Sequence, residues 1–385
     1  MIAPPVFLVD IGQYLPNSPI DNESIEAVLG MVNGRPSRAR RLTLRNNGIR
    51  LRHYAIDPAS GRQTHTNAQL TAQAVRDGLS RCGWQAQQVD LLVCGTSSPD
   101  QLMPGHANMV HAELGGPRLE AVTTAGVCAA GATALKHAWL SIRAGVARRA
   151  VSTGSELASS FMLARHFSAE SDADIDLAQR RPELAFEQDF LRWMLSDGAG
   201  AAMLSSEPGP GRVNLRIDAI DGFSLANELP VCMFSGAIRD HAGRLQGWRQ
   251  ADNPADLSRL NYFSIKQDAR ILLEHIPRLV ARDTLGAFAA RHRIGPDDIA
   301  WFLPHQSSAF FEPVLADAMQ ASGFAIAPSR WFTNLESIGN IGSASIYLML
   351  AELLHGSRLT KGDRILCFVP ESARFSVYFM LLTVV

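Results

Sequence analysis

The chain lacks the features that mark membrane, secreted and nucleic-acid-binding proteins. No apolar run reaches the roughly 20 residues that a helix needs to span a bilayer, so we predict no membrane segment. Lys and Arg total 36 against 37 Asp and Glu, a formal net charge of −1, which gives no general attraction to nucleic acid or to an anionic membrane. The first residues, Met-Ile-Ala-Pro-Pro-Val, lack the basic and apolar regions of a signal peptide.

Cysteine is also scarce. An odd number of cysteines without Cys-x-x-Cys spacing argues against a disulfide scaffold and against a zinc site. We therefore predict that the protein binds no metal and works in a reducing cytoplasm, where a nucleophilic thiol stays usable. The five cysteines are Cys82, Cys94, Cys128, Cys232 and Cys367.

Apolar residues are plentiful, at 46% of 385 residues, which is enough for a large core. Strand and helix patterns alternate as in a layered α/β fold. A Pro/Gly break at Glu207–Gly211 separates two such series, so we predict two halves, residues 1–207 and 208–385. The second half includes a helix predicted from about Ser264 to His292. The predicted strands lie near Val6–Asp10, Leu91–Gly95, Glu120–Thr124, Arg149–Gly154, Ala199–Ser205, Val213–Asp218, Ile299–Leu303, Arg364–Val369 and Val377–Val385.

One cysteine stands at a junction between a strand and a helix. Cys128 lies within Ala-Gly-Val-Cys-Ala-Ala-Gly-Ala, just before an apolar helix predicted from Ala129 to about Ala144. At a helix N-terminus, unpaired N–H groups and the macrodipole favour thiolate over thiol. These features predict a nucleophile. The segment alone leaves open a second interpretation, a small cysteine packed in a core.

Two segments far downstream favour the nucleophile. His305 ends a short apolar strand in Trp-Phe-Leu-Pro-His-Gln, and Asn340 lies in a Gly-rich turn, Gly-Asn-Ile-Gly-Ser-Ala-Ser, before another apolar helix. Taken singly, a histidine is usually structural and an Asn beside Gly is usually a turn former. The three together, in this order, predict a catalytic set. A papain-like protease is disfavoured because the local cysteine motif of those enzymes is absent.

This set resembles the condensing-enzyme branch of the thiolase superfamily, and in particular the β-ketoacyl-acyl carrier protein synthase III-type ketosynthases, whose triad is Cys, His and Asn. Asp197-Gly-Ala-Gly-Ala and Gly48-Ile-Arg-x-Arg52 are similar to further segments of that family. The resemblance implies an α/β fold, the duplicated thiolase fold, built as a five-layer αβαβα sandwich. It places the cysteine in the first half and the histidine and asparagine in the second.

The resemblance also implies a role for each residue. Cys128 would attack an acyl thioester and hold the acyl chain covalently, with its own N–H and that of Ala373 binding the oxyanion. His305 and Asn340, both neutral donors, would stabilise the enolate of the second substrate. The substrates would be phosphopantetheine thioesters, and no other cofactor is expected.

The loop Val369–Phe375 departs from the family, which has a Gly-rich loop there. Glu371 and Arg374 add charges, and Glu156 follows another strand of the site, so these three are candidate auxiliary acid/base groups. The alternatives are a solvated ion pair between Glu371 and Arg374 and a capping role for Glu156.

Other segments concern partners. The region Arg45–Asn47 lacks the Trp that stacks on coenzyme A in the family, which favours a substrate bound to acyl carrier protein over coenzyme A. A basic run would suit an acidic carrier protein, although a solvated helix face explains it equally well. Met103 matches the segment that crosses to the partner subunit of a homodimer and lines its acyl tunnel. Since Met103 cannot be a base, head-to-head joining of two acyl chains is disfavoured. The run comprises Ser37–Arg41, Arg45, Arg50 and Arg52.

Two stretches look inserted, Ala158–Phe190 and Asp221–Leu260. Long polar loops in a compact enzyme are surface decoration or lids over a substrate entrance. We favour a lid for the first, because the matching loop in the family borders the dimer interface.

The segments Gly34–Arg41 and Leu44–Ile49 and the loop Glu-Ser-Ala-Arg-Phe375 resemble a narrower group, the ketosynthase-cyclases that form dialkylresorcinols and 1,3-cyclohexanediones. We predict carbon–carbon bond formation with ring closure. One alternative is a chain-initiating synthase III that uses acyl-coenzyme A and malonyl carrier protein. Acyl transfer to an alcohol or amine is disfavoured by Asn340, and a non-catalytic partner of a heterodimer is disfavoured by the intact Cys128.

Overall fold

The computed structural model describes residues 4–37, 40–167, 191–210, 213–240 and 242–385. Nine of the strands in this part of the chain form one mixed sheet, and the others form three small pairs. In chain order the strands are β1 (Phe7–Tyr14), β2 (Ile20–Asp21), β3 (Leu51–Arg52), β4 (Leu91–Thr96), β5 (Glu120–Ala125), β6 (Arg149–Glu156), β7 (Gly198–Ser205), β8 (Leu215–Ser224), β9 (Met233–Phe234), β10 (Ala237–Arg239), β11 (Leu245–Gly247), β12 (Lys266–Gln267), β13 (Trp301–Pro304), β14 (Arg364–Glu371) and β15 (Ser376–Val384).

The helices alternate with these strands. Short 3-10 turns join several of them. In chain order the α-helices of the described residues are α1 (Ile25–Leu29), α2 (Arg40–Asn47), α3 (Asn67–Cys82), α4 (His106–Leu114), α5 (Ala129–Arg143), α6 (Ser159–Met162), α7 (Pro254–Arg259), α8 (Ala269–His275), α9 (Ala287–His292), α10 (Glu312–Ser322), α11 (Leu335–Ile338) and α12 (Ser345–His355).

The main sheet has the strand order β13-β14-β15-β8-β1-β7-β6-β4-β5. All nine are strands that the sequence predicts, because each is a short apolar run rich in β-branched or small residues. In the first half, β1, β7 and β6 pair antiparallel, and β6, β4 and β5 pair parallel. The second half repeats this pattern, since β8, β15 and β14 pair antiparallel and β14 pairs parallel with β13.

The two halves join where β1 pairs with β8. The chain passes from one to the other between Ser205, the end of β7, and Leu215, the start of β8. The boundary predicted between residues 207 and 208 falls in this connection. The division of the chain into two domains at that point stays a prediction.

Two apolar helices lie between the two groups of strands. Helix α5 packs on β4 and β6 and also contacts β14 and β15, while α12 packs on β1 and β7 and also contacts β13. Glycines allow this close packing, because a Cβ on Gly131 or Gly154 would lie 2.3 Å from the carbonyl oxygen of Ser343. Tyr347 of α12 ties the layers together through hydrogen bonds to Ser152 Oγ (2.7 Å) and the Gly131 carbonyl (2.8 Å).

The helix predicted from Ser264 to His292 is wrong as a single element. The structure forms β12, then α8, then a 3-10 turn at Ile276–Val280, then a π-type turn that leads into α9. Pro277 stands at the start of the 3-10 turn. Because proline has no N–H to donate and its ring clashes with the preceding turn, an α-helix does not continue through it.

The two predicted insertions differ in what the structure describes. Residues 168–190 of the first lie outside the described residues, and its described beginning forms α6. The second, Asp221–Leu260, has no clear period in the sequence, yet it contains the antiparallel pair β10–β11 and helix α7. The lid role of the first insertion stays a prediction.

Within the described ranges, no helix combines the length and apolarity that crossing a membrane would require. The same residues contain no group of three or more His, Cys, Asp or Glu side chains arranged to hold a metal ion.

Candidate active site

Cys128 lies at the N-terminus of α5, as its N-cap residue. The carboxylate of Glu371, at the end of β14, accepts hydrogen bonds from the N–H groups of Val127 (2.9 Å) and Ala129 (3.1 Å) on either side of it. Gly126 leaves room for that carboxylate, because a Cβ there would lie 3.2 Å from Glu371 Oε2. The N–H of Cys128 itself faces its own sulfur, and its predicted role as a donor to the substrate oxyanion stays a prediction.

The structure favours a different charge state for the Cys128 thiol from the one that the sequence predicts. Burial raises its pKa well above the usual range, and the negative charges of Glu371 and Glu156 raise it further. Burial and these charges favour the neutral thiol, which opposes the expected effect of the helix N-terminus, where the Glu371 carboxylate occupies two of the N–H groups. The role of Cys128 as the nucleophile stays a prediction.

His305 follows directly after β13. Its N–H donates to the carbonyl of Phe368 on β14 at 2.8 Å, and its side chain is buried. Burial lowers the pKa of the imidazole to about 4, so the ring is neutral at physiological pH. Ring nitrogen Nδ1 has no partner among the described residues. A neutral, buried imidazole is the form that the predicted donor role requires.

Asn340 is buried in the turn that precedes α12. Its N–H donates to the carbonyl of Met194 (3.0 Å), and its carbonyl accepts from the N–H of Ser196 (2.8 Å). Its side-chain oxygen accepts from the N–H of Gly342 at 2.9 Å. Because this bond engages the oxygen of the carboxamide, its NH₂ group is left to donate to a substrate.

Glu156 is buried at the end of β6 and accepts four hydrogen bonds. Two come from Ser97, through its hydroxyl (2.6 Å) and its N–H (3.2 Å). The others come from the Ser98 hydroxyl (2.6 Å) and the Ser343 N–H (3.2 Å). Burial raises the pKa of this carboxyl group. Glu156 thus ties the end of β4 to the turn that carries Asn340, which supports the structural alternative.

Two carboxylates link these distant segments through the main sheet, although β5 and β13, which precede Cys128 and His305, are its opposite edges. Glu371 joins the Cys128 segment to β14, and β14 pairs in parallel with β13, which leads into His305. Glu156 joins the turn of Asn340 to β6, and the charges of both carboxylates act on the sulfur. Glu156, Glu371 and His305 lie at the carboxyl ends of β6, β14 and β13, which belong to parallel pairs, and open α/β sheets place their sites at such ends. Asn340 lies in the turn before α12, and the convergence of Cys128, His305 and Asn340 stays a prediction.

Other predicted residues lie elsewhere or bond differently. Arg374 is exposed, and its Nε donates to the carbonyl of Ala226 at 3.0 Å. No ion pair between Arg374 and Glu371 occurs among the described residues, so that alternative is wrong. The carbonyl of Ala373 accepts from the N–H groups of Cys232 and Met233, and its predicted oxyanion role stays a prediction. Met103 is 82% exposed.

The predicted basic run divides in the structure. Arg45 is exposed, and Arg50 is an exposed residue paired with Glu336 at 2.8 Å. Arg40 pairs with Glu23 and Glu26. Arg52 is fully buried. The prediction that Arg52 belongs to a carrier-binding surface is therefore wrong.

The serine partners of Glu156 are residues that sequence reasoning missed. Ser97 and Ser98 follow β4, and Ser343 lies in the Gly-rich turn. The signal was present as small polar residues directly after a buried strand. It was weak because serine is common in loops.

Comparisons with known proteins indicate the class of enzyme. Residues 37–208 match the family model described as β-ketoacyl synthase, N-terminal domain, and residues 289–369 match that of the 3-oxoacyl-acyl-carrier-protein synthase III C terminal. The β-ketoacyl-acyl-carrier-protein synthase III of Rhodospirillum centenum is 27% identical over 359 residues, which are 93% of each chain. The chain is a condensing enzyme, an acyltransferase similar to synthase III.

This condensing enzyme also resembles solved structures. One is AbyA1, a tetronic acid condensing enzyme, with a TM-score of 0.73 and 23% identity over 98% of this chain and 99% of that one. Another is OleA of Xanthomonas campestris, with a TM-score of 0.73 and 19% identity over 100% of both chains. At such identities the likeness shows the fold, and it confirms the predicted thiolase-like α/β architecture.

One prediction concerns the charge of Glu371. Glu371→Gln keeps an oxygen that can accept from Val127 and Ala129 but removes a negative charge, so the pKa of Cys128 falls. Because the thiolate is the reactive form, we expect alkylation of Cys128 by iodoacetamide at pH 8 to be about tenfold faster, equivalent to about one pKa unit. Peptide mass spectrometry measures the rate.

Glu228→Gln is the matched control, since Glu228 is an exposed acid paired with Arg278. This variant should leave the alkylation rate unchanged. An unchanged or slower rate in Glu371→Gln would show that the Glu371 charge does not act on the sulfur.

Proposed function

We propose that this condensing enzyme loads an acyl chain on Cys128, joins it to a β-ketoacyl thioester through a carbon–carbon bond, and closes a 1,3-cyclohexanedione ring. The observation that carries the proposal is the carboxylate of Glu371 at the N-terminus of α5. It lies where family members have a Gly-rich loop without charge, and it bonds to both residues that flank the nucleophile.

The loading step is an acyl transfer. The Cys128 thiol loses its proton as the sulfur bonds to the thioester carbonyl carbon, and the bond from that carbon to the pantetheine sulfur breaks. The proton ends on the departing pantetheine thiol. We assign the transfer of this proton to Glu371, because its carboxylate bonds to the residues on both sides of Cys128.

The condensation step forms the first carbon–carbon bond. A carbon beside the carbonyl of the β-ketoacyl thioester loses a proton and attacks the acyl carbonyl, and Cys128 leaves as a thiol. The thioester carbonyl becomes an enolate, which accepts hydrogen bonds from His305 and the NH₂ of Asn340. Both donors are neutral in this site, so neither loses a proton to the substrate.

Ring closure needs a second carbon–carbon bond and further proton transfers. With an enoyl chain on the cysteine, a second carbanion of the β-ketoacyl chain adds to the double bond, and the neighbouring carbon takes up a proton. Glu371 is the group we assign to these transfers. Glu156 is the weaker candidate, because its carboxylate already accepts four hydrogen bonds from the protein.

We propose acyl carrier protein as the donor and cytoplasm as the compartment. Arg45 on α2 is exposed. Helix α2 contacts the 3-10 turn Ala309–Phe311, in which Phe310 is also exposed. A cation beside an apolar side chain suits the phosphate and the alkyl part of a phosphopantetheine arm.

A homodimer is part of the same proposal. Strand β5 is the edge of the main sheet, and its outer side pairs with no described strand. Nearby, Leu102 and Met103 expose 68% and 82% of their surface. An unpaired edge next to apolar side chains is suited to a second copy of the chain.

Leu102→Asp should therefore shift the protein from dimer to monomer. A charge at the centre of an apolar contact loses its hydration without gaining a partner. Light scattering coupled to gel filtration measures the mass. Leu260→Asp, at an exposed apolar position in the second half, is the control and should stay dimeric. A wild-type monomer, or a dimeric Leu102→Asp, would contradict the dimer placed here.

Product analysis tests the function. β-Ketoacyl and enoyl carrier-protein thioesters are supplied without malonate, and products are identified by mass spectrometry. A cyclic dione that is absent with Cys128→Ala is the expected result. Product formed only when a malonyl donor is added would overturn the ring-closing function.

That second outcome corresponds to a chain-initiating synthase III, an alternative that the relatives support equally. The matched curated proteins are named β-ketoacyl-acyl-carrier-protein synthase III, at 25–29% identity. In that case acyl-coenzyme A and malonyl carrier protein are the substrates, and decarboxylation of the malonyl group supplies the carbanion.

A further inference from the structure

Asn340 owes its position to a short neighbouring segment of chain. Met194 and Ser196 bond to its N–H and its carbonyl, and Leu195 pairs with it as an isolated parallel bridge. The backbone of Asn340 is thus held from both sides by three consecutive residues. Any displacement of this segment, which follows Trp193, also displaces the carboxamide.

The segment is anchored in turn by a buried arginine. Nε and Nη2 of Arg52 donate to the carbonyl of Trp193 at 3.0 and 2.5 Å, and Asn47 Nδ2 donates to the same oxygen at 3.1 Å. The remaining donor group, Nη1, bonds to Asn22 Oδ1 at 2.7 Å. Three N–H groups therefore converge on one carbonyl, one residue before the segment that holds Asn340.

Arg52 is an unusual anchor because it is fully buried and forms no ion pair with a carboxylate among the described residues. Burying a guanidinium against neutral carbonyls is costly, since the lost hydration is replaced by dipoles alone. A neutral side chain such as Asn47 could bond to a carbonyl at lower cost. Arginine instead directs two N–H groups of one rigid guanidinium at the same carbonyl oxygen, which fixes the position of that oxygen.

A second contact links Arg52 to the turn. Gly339 has φ +73°, and a Cβ there would lie 3.0 Å from both Arg52 Cγ and Ser196 Cβ. The stem of Arg52 thus packs against the residue that precedes Asn340. The guanidinium of Arg52 thus acts on Asn340 through Trp193, and its aliphatic stem acts through Gly339.

We infer that Arg52 is a positioning residue for Asn340, and that it fixes the carboxamide where the enolate of the second substrate forms. The inference rests on the proposed function, in which Asn340 acts in carbon–carbon bond formation. Arg52 itself touches neither substrate nor nucleophile. None of its hydrogen bonds runs to α5 or to Glu371.

The inference predicts a selective effect on one partial reaction. In Arg52→Lys, the pair of N–H groups that bonds to the Trp193 carbonyl oxygen is lost while a positive charge remains. We expect acylation of Cys128, followed by quenched-flow mass spectrometry, to stay within about twofold of wild type. Condensation of the preformed acyl-enzyme should fall by about 10- to 100-fold, because a small misplacement of a catalytic donor has an effect of this size.

A double variant separates positioning from general loss of structure. If Arg52 acts only through Asn340, adding Arg52→Lys to Asn340→Ala leaves the condensation rate of the single Asn340→Ala variant unchanged. Multiplying effects, or an equal fall of both partial reactions in Arg52→Lys, would overturn the inference.

Gly339→Ala provides the test if the arginine variant does not fold. Its Cβ would press on Arg52 and Ser196, so it should also slow condensation alone. Gly323→Ala is the matched control, because Gly323 has φ +79° and nothing within 4 Å of its Cβ position. Equal rates for the two glycine variants would overturn the inference. A wild-type protein that forms no acyl-Cys128 would instead overturn the proposed function.

Discussion

Cys128→Ala will form no covalent acyl adduct and will lose condensation by about 10⁴-fold or more, the scale seen when a catalytic nucleophile is removed. The half-buried Cys128 thiol has no substitute, because the other four cysteines are buried. Intact-mass spectrometry after incubation with an acyl thioester measures the adduct. Synthesis of the condensed product measures the rate.

Cys82→Ala is the control for this experiment. Cys82 is a buried free cysteine at the end of α3, with its sulfur near the Leu79 carbonyl. This variant should keep both the adduct and the product. An adduct that persists in Cys128→Ala would place the nucleophile elsewhere, and an adduct missing from the wild type would remove the condensing activity altogether.

His305→Ala and Asn340→Ala will keep acylation but lose condensation, each by about 10²- to 10³-fold. Each removes one donor to the enolate, and such a donor contributes about 3 kcal/mol to transition-state stabilisation. In the proposed mechanism acylation requires neither donor, since Cys128, Glu371 and the backbone N–H groups perform it. Single-turnover measurements of the two partial reactions separate these effects.

Asn340→Asp is the informative companion variant. It keeps an oxygen that can accept from the Gly342 N–H but replaces the donating NH₂ by a second oxygen. Its condensation rate should therefore be as low as that of Asn340→Ala. Near-normal condensation in Asn340→Asp would show that the asparagine acts through its turn and donates nothing to the substrate.

The pH dependence of condensation should follow from the same site. His305 stays neutral until the pH falls to about 4. Its donor role is thus unaffected across the physiological range. Any activity change between about pH 6 and 8 then reports on a group other than this histidine.

Much of the fold could be predicted from local pattern. The nine strands of the sheet are short apolar runs, and their pattern does not depend on the partner strand. The prediction of one helix from Ser264 to His292 is wrong for a local reason as well, because Pro277 interrupts the helix. The repeat of strand order between the two halves was not readable, since pairing depends on contacts far apart in sequence.

The candidate site likewise has features that the sequence predicts and features that it does not predict. Cys128, His305 and Asn340 are recognisable because each stands in a short, distinctive segment at the end of a strand or the start of a helix. The sequence predicts a thiolate at Cys128, whereas burial and then the charges of Glu371 and Glu156 raise the pKa of its thiol, and Glu371 is more than 200 residues away in sequence. Arg52 was assigned to a surface for the same reason, since its partner Trp193 is 141 residues away.

The sequence by itself determined which chemical groups the proposed mechanism can use: a thiol, an imidazole and a carboxamide. His305 follows a proline, Asn340 follows a glycine, and Cys128 stands two residues after Gly126. Tertiary structure decided their electrical state and their orientation. Burial and the two carboxylates keep the thiol protonated, and Arg52 sets the backbone that carries Asn340. Electrostatic and steric effects act through space, so a pattern of neighbouring residues does not contain them.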